Sequence, residues 1–202
     1  MERFKAFYCV GPRTIQEILI DLKEDHPAII EKEVLMTLNW LALYDTEHVL
    51  AGRWGLHEET IRDKVQGLTK KIAKLKSKKI RLDFGDFDDD EIYIFSVDGV
   101  HFTINEVRTM PGPEWYDPKS NSAGLAYEVA VAIRSSKIVS TNGPHPASKH
   151  DMTIFRGGTT KEKKENWEKN SLYFKIPEGK RAIGDSGYAG EPEKNAISLP
   201  GH

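Results

Sequence analysis

The sequence predicts an α+β protein: a helical amino-terminal part, then a part that mixes sheet and helix. Three observations carry this. Apolar residues recur at helical spacing through roughly the first 80 residues, they alternate with a period of two between Gly124 and Arg134, and a dense run of acids separates the two regimes. At 202 residues the chain has room for one ordinary domain, or a small one plus a moderate one. A hydrophobic content of 39% with 30% charged residues suits a folded chain rather than a disordered one.

The helical elements follow in order. Thr14-Ile15-Gln16-Glu17 predicts a capping box that opens an amphipathic helix, with Ile15, Ile18, Leu19 and Leu22 on one face. Pro27 interrupts it, and Glu31 to Tyr44 resumes with Val34, Leu35, Leu38, Leu41 and Ala42. Residues 46–66 then have the shape of a helix-turn-helix. Val49, Leu50 and Ala51 lie on a short first helix, where the small Ala51 permits a close crossing. Gly55 supplies a left-handed turn and Leu56 plugs the gap between the helices. Ile61 and Val65 anchor the second helix, which would expose His57, Glu58, Thr60, Arg62 and Lys64. Such a hairpin either reads DNA or is purely structural, and Glu58, Glu59 and Asp63 weigh against DNA because carboxylates repel phosphate.

The net charge of −2 conceals a segregated pattern. Nine basic residues fall between Arg62 and Arg81 against the single acid Asp63, and six acids fall between Asp83 and Glu91. The basic stretch could meet phosphates, with Thr60, Arg62, Lys64, Lys70 and Lys71 as the candidate DNA contacts; the plainer reading is a solvated helical face. The predicted organisation is a helical domain over 1–82, an acidic linker over 83–90 and a second domain over 91–202. The lone cysteine, Cys9, allows no intrachain disulfide, which points to a reducing intracellular compartment. No apolar run has membrane-spanning length and no signal-peptide core is present, so no membrane partner is expected.

In the second part, Ile92 to Val97 is a short apolar strand that ends at Asp98. From Gly124 to Arg134 the chain alternates, with Leu125, Tyr127, Val129, Val131 and Ile133 on one face and Ala126, Glu128, Ala130, Ala132 and Arg134 on the other. Ser135-Ser136 makes a turn, Lys137 to Thr141 returns as the paired strand, and Gly143-Pro144-His145-Pro146 breaks it, with His145 as a loop residue. A short helix starts near Lys149 with His150 and Asp151 in its first turn, Gly157 to Asn170 is a polar surface segment, and Lys180 to Gly184 is another strand, ending at Asp185. Aspartates at the tips of neighbouring buried strands are held rigidly yet can face a cleft and share a divalent metal, the skeleton of a phosphodiester-cutting site. Plainer readings stand beside this: Asp98-Gly99 could begin a hairpin turn, Asp185 could cap a loop through Ser186 and Gly187, and His150 could cap a helix.

Four ordered motifs now meet: Phe95-Ser96-Val97-Asp98-Gly99-Val100-His101, the hairpin from Tyr127, Ser148-Lys149-His150-Asp151, and Gly184-Asp185-Ser186-Gly187-Tyr188. Together, over roughly residues 91 to 192, they resemble the DDE superfamily transposases of the Harbinger and insertion-sequence-5-like type. The resemblance implies an RNase H-like mixed sheet flanked by helices. It implies that Asp98 is the first catalytic acid, on the first strand, and that Asp185 is the second, just past the fourth. It implies Mg²⁺ or Mn²⁺ as cofactor, held by both carboxylates. His150 and Asp151 match the element that precedes the second acid, where they would serve as supporting residues. DNA is the implied partner, with a separate DNA-binding partner protein possible, and in a eukaryote the place of action would be the nucleus.

The family's third acid, a glutamate on a helix well beyond the second aspartate, has no match. Glu191 and Glu193 lie only 6 and 8 residues after Asp185, and Pro192 opposes a long helix there. The expectation is therefore a domain incomplete at its carboxyl end, broken off at Ser198-Leu199-Pro200-Gly201-His202, with impaired strand transfer. The alternative is a non-catalytic DNA-binding protein derived from a transposase.

Overall fold

The computed structural model describes residues 2–82, 87–105, 109 and 112–197. The chain divides into two compact units, Met1–Lys79 and Ile80–His202. The first is all helix and the second holds a mixed sheet with helices, an α+β combination. Among the described residues, no helix is long and apolar enough to cross a membrane.

The helical unit contains α1 (Glu2–Tyr8), α2 (Pro12–Asp25), α3 (Glu31–Leu43), α4 (Glu47–Trp54), α5 (Glu58–Lys74) and α6 (Lys76–Lys79). Its apolar side chains gather in two clusters. Ile15 and Leu22 of α2, Val34 and Leu38 of α3 and Leu68 of α5 form one; Met36 of α3, Leu50 of α4 and Ile61 and Val65 of α5 form the other. The α3 helix thus faces both, because its apolar positions run around most of its circumference. Between them Asn39 is buried, donating to the Phe7 carbonyl at 2.9 Å and accepting from Arg53 at 2.7 Å. Gly55 ends α4 in the left-handed conformation at φ 65°, which frees the chain to turn into α5 at Leu56.

One expectation for this unit is corrected. The α2 helix begins at Pro12, not at a Thr14 capping box; Gly11 stands at the cap with no side-chain bond, and Thr14 lies inside the helix. Proline needs no hydrogen-bond acceptor at the first helical position and its fixed φ suits that place, so it sets the start.

The sheet unit contains β1 (Tyr93–Thr103), β2 (Tyr116–Asp117), β3 (Ser122–Ala132), β4 (Ile138–Pro146), β5 (Arg181–Gly184) and β6 (Asn195–Ile197), with the helices α7 (Asp151–Arg156) and α8 (Leu172–Lys175). The β1 strand lies between β3, to which it runs antiparallel, and β5, to which it runs parallel; β6 extends the parallel side, while β2 and β4 pair antiparallel with β3. The β1–β3 register runs from Phe95 opposite Ala132 to Thr103 opposite Gly124. Residues opposite one another share a face, so Phe95, Val97 and Gly99 lie beside Ala132, Ala130 and Glu128. That face is the buried one, packed under Met152, Phe155, Trp167, Leu172, Tyr173 and Tyr188. The alanines of β3 turn inward, where their small side chains let α7 and its neighbours approach, and the larger Tyr127, Val129 and Val131 are left half-buried on the other side.

Three strand expectations change. The β1 strand does not stop at Asp98 but continues five residues further, to Thr103, held by its ladder to β3. Asp98 is therefore mid-strand, and Asp98-Gly99 begins no turn. The β4 strand is not broken by Pro144 and Pro146: among the described residues it pairs only with β3, and an edge strand can place residues without N–H groups toward open space. His145 accordingly sits in a strand, half-buried, and not in a loop.

Part of the acidic stretch, Asp83 and Asp86, lies outside the described residues, as does the terminal Ser198–His202. The described acids are tied to the sheet unit. Arg134 pairs with Asp88 and Glu91, and the Lys180 ammonium donates to the carbonyls of Asp88, Asp89 and Glu91 at 3.1, 2.6 and 2.7 Å.

Candidate functional site

On β1 the burial pattern turns Asp98 away from the packed face, and its side chain is exposed. Its Oδ1 accepts from the N–H of Gly99 at 2.8 Å. On the neighbouring strand, β5 ends at Gly184 and Asp185 follows directly, also exposed. Its Oδ1 accepts from the N–H of Gly187 at 2.9 Å and caps the 3-10 turn Ser186–Tyr188, so the loop-capping reading of this residue is realised. Set aside the two-residue β2, and β5 is the fourth strand of the unit. The β1–β5 ladder is described only through Ser96 opposite Ile183, so the two aspartates stand where the paired strands part. In each carboxylate one oxygen is held by a backbone N–H, and among the described residues the other has no hydrogen-bond partner.

Asp151 enters from α7. A Cβ built on Gly99 would lie 2.6 Å from Asp151 Oδ1, and one built on Gly187 would lie 2.9 Å from Asp151 Oδ2. The glycine after Asp98 and the glycine two after Asp185 thus make the seat for this third carboxylate. The Gly187 position is also 3.0 Å from Asp185 Oδ1, so Asp151 and Asp185 face each other across it. His150 is exposed and caps α7: its Nδ1 accepts from the Met152 N–H at 3.2 Å, which is the helix-capping role and requires the ring proton on Nε2.

A fourth carboxylate was not singled out from sequence. Glu128 sits on the alanine face of β3, is 2% exposed, and has no hydrogen-bond partner at either oxygen. Burial, and then the neighbouring Asp151 charge, push its pKa up to about 8, while Lys175 and Lys149 pull the other way. Beside it Tyr188 is fully buried with its hydroxyl also unpartnered. Burial raises that phenol far above its ordinary range, and Glu128, Asp151, Asp98 and Asp185 all add to the effect. No lysine or arginine forms an ion pair with Asp98, Asp151 or Asp185 among the described residues. Among those residues, too, no three His, Cys, Asp or Glu side chains stand as a ready ligand shell around one point. Asp151 also borders a cavity of about 230 Å³ whose other walls include Lys119, Lys149 and a His101–Asp117 pair at 3.2 Å.

The oxygen-only donor set and the orphaned oxygens of Glu128 and Tyr188 suit a hard divalent cation such as Mg²⁺ or Mn²⁺ better than a soft one. Glu191 and Glu193 are committed elsewhere, to Arg156 at 2.9 Å and to Lys164 at 3.3 Å.

The candidate DNA contacts in the helical unit divide in two. Arg62 grips Glu47 with two hydrogen bonds, one of 2.8 Å, and Lys64 pairs with Glu33. Further along the same basic stretch, Lys78 pairs with Asp25 at 2.8 Å and Lys79 with Asp21 at 2.7 Å. Lys70 is exposed and Lys71 half-buried, and neither has an ion pair among the described residues; Thr60 is half-buried at the start of α5. Comparison with protein-family models, with curated proteins and with solved structures gave no match to this chain.

Proposed function

We propose that the sheet unit is a metal-dependent phosphodiester-cleaving domain acting on DNA, of the DDE transposase kind with an RNase H-like fold, and that the α4–α5 hairpin with the basic face of α5 contributes DNA contacts as a helix-turn-helix. The observation that carries this is the position of Asp98 and Asp185, each without an ion pair among the described residues, where β1 and β5 part. A chain that needed only a stable fold would have paired them or kept them apart. Asp98 and Asp185 would hold the ion through their uncommitted oxygens, while the N–H groups of Gly99 and Gly187 fix the orientation of each carboxylate. Bound Mg²⁺ or Mn²⁺ would supply activation of an attacking hydroxyl and neutralisation of the leaving oxygen. Tyr188, buried and neutral, gives the cluster a dry floor. Lys119 and Lys149, on the cavity that Asp151 borders, give a phosphate two cations to meet. This reading places the protein inside the cell, and in the nucleus of a eukaryote.

The test is nicking of supercoiled DNA with Mn²⁺ or Mg²⁺. Cleavage should require the cation and fall about a hundredfold or more in Asp98→Asn and in Asp185→Asn. A second reading, DNA binding without catalysis, is favoured by the lack of a ready ligand shell among the described residues. Salt-dependent DNA binding with no nicking under either cation would decide for it.

A further inference from the structure

We infer that the cavity walled by His101, by β2 and its turn, and by the segment from Ala147 into α7 binds a phosphate group without the help of a cation, through the ammonium groups of Lys119 and Lys149 and the imidazole of His150. This rests on the proposed DNA-cleaving reading for the source of the phosphate. The site itself rests on how the fold treats these side chains.

Two cations are placed here and left unneutralised. The Lys149 ammonium donates to Nδ1 of His145 at 3.4 Å. His145 is half-buried, and burial, with the Lys149 charge beside it, holds its pKa below the ordinary histidine range. A neutral acceptor therefore fixes Lys149 and leaves its positive charge whole. In the helical unit the partners of Lys64, Lys78 and Lys79 are carboxylates, which cancel the charge they hold. Lys119 is fixed from its backbone: its own N–H donates to Asp117 Oδ1 at 3.0 Å, and the residue is exposed. Neither lysine has an ion pair among the described residues. Both border the one cavity of about 230 Å³.

The acids on the same wall are turned elsewhere. Asp117 is 2% exposed and its carboxylate is spent inside the fold. Its Oδ1 takes the Lys119 N–H and stands 3.2 Å from Nδ1 of His101, and its Oδ2 takes the Ser120 hydroxyl at 2.8 Å. The oxygens of Asp151 lie against Gly99 and Gly187, neither of which lines the cavity. His150 adds a donor: its Nδ1 accepts from the Met152 N–H, so its Nε2 can only donate. Two whole ammonium charges and an N–H on one concave wall suit a phosphate, whose oxygens accept charge-assisted hydrogen bonds.

Titration calorimetry of the full chain with inorganic phosphate, in chelator and at low ionic strength, tests this without metal and without cleavage. Saturable binding should weaken about tenfold or more in Lys149→Ala and in Lys119→Ala. His145 acts through Lys149 and is a positioning residue, so its charge is the variable to change. His145→Gln keeps a neutral acceptor and should stay near the wild-type affinity. His145→Glu gives Lys149 a counter-charge and should lose as much as Lys149→Ala. Melting of each variant separates loss of the site from loss of the fold, and the exposed Lys119 can be replaced without cost to the core. Wild-type affinity in both lysine variants overturns the site, as does a wild-type chain that binds no phosphate; neither result bears on cation-dependent nicking. Equal affinity in His145→Gln and His145→Glu overturns the positioning of Lys149. Short duplex DNA should displace the phosphate, and phosphate that DNA leaves in place overturns DNA as its source. Phosphate binding that DNA displaces, with no nicking under either cation, keeps the site and overturns the cleavage reading.

Discussion

The helical unit and the sheet unit treat charge in opposite ways. In the first, Arg62, Lys64, Lys78 and Lys79 each have a carboxylate from another helix or turn within reach. Most of these groups are exposed, so the pairs dress the surface more than they hold the fold. In the second, Asp98, Asp151 and Asp185 have no cationic partner among the described residues, and Glu128 is buried with both oxygens unmet. The contrast teaches where to look for chemistry: satisfied charges belong to architecture, while charges left unsatisfied at a cost belong to a site. It also revises the weight of the basic stretch, since four of its nine cations, Arg62, Lys64, Lys78 and Lys79, are engaged within the molecule.

A first large effect should come from neither set of charges. If the helical unit rests on its apolar clusters, Leu50→Ala, at a fully buried position, should destabilise it by about 2–5 kcal/mol in denaturant unfolding. Equal damage from Glu47→Ala would mean that the ion pairs carry the fold and would break the contrast at its first term.

Next comes Glu128. A carboxyl raised from 4.5 to about 8 holds its proton in the folded chain and releases it on unfolding. Its favourable share of stability is full below pH 4.5, is lost as pH rises through the window to about 8, and stays lost above it. The wild-type chain in chelator should therefore lose on the order of 5 kcal/mol across that window, and Glu128→Gln should flatten the curve. A curve of unchanged slope in Glu128→Gln would show that the buried acid is not what titrates.

Smaller effects sharpen the DNA term. Lys70→Ala with Lys71→Ala should weaken DNA binding several-fold and lower the salt-dependence slope by about 0.9 for each phosphate that these lysines neutralise. Arg62→Ala should change affinity less, because its guanidinium is already engaged by Glu47. The reverse order, measured by fluorescence anisotropy at several salt concentrations, would show that DNA pulls Arg62 off its partner.

Much of the architecture can be read from the amino-acid pattern, and the misses share a cause. Helix α5 with its Gly55 turn, the period-two strand β3, and a short helix near Lys149, which the fold starts two residues later at Asp151 with His150 as its cap, follow from local spacing. What local spacing misses is set by neighbours. The β1 strand runs past Asp98 because β3 offers it a ladder, and β4 runs through its prolines because, among the described residues, nothing pairs with its outer edge. The three-residue β6 is too short to carry a period and exists through its pairing with β5. At the site, Asp98, Asp185 and Asp151 are visible in the sequence, but the clearance that seats Asp151 between two glycines is not. Glu128 reads from sequence as the polar side of an alternating strand, hence as solvent-facing. In the fold that side is the packed one, because helices cover the alanines. The one available signal is its company: a lone acid among Ala126, Ala130 and Ala132 sits on the face best suited to close packing.

The position of α3 between two apolar clusters bears on how the helical unit comes apart. An element that serves two cores cannot loosen from one without straining the other. Melting of the α2 side should then propagate through Val34 and Leu38 to Met36, and so to Leu50 and Ile61. Such a unit has no stable half-unfolded form, and its backbone amides along α3 should exchange with solvent only when the whole unit opens.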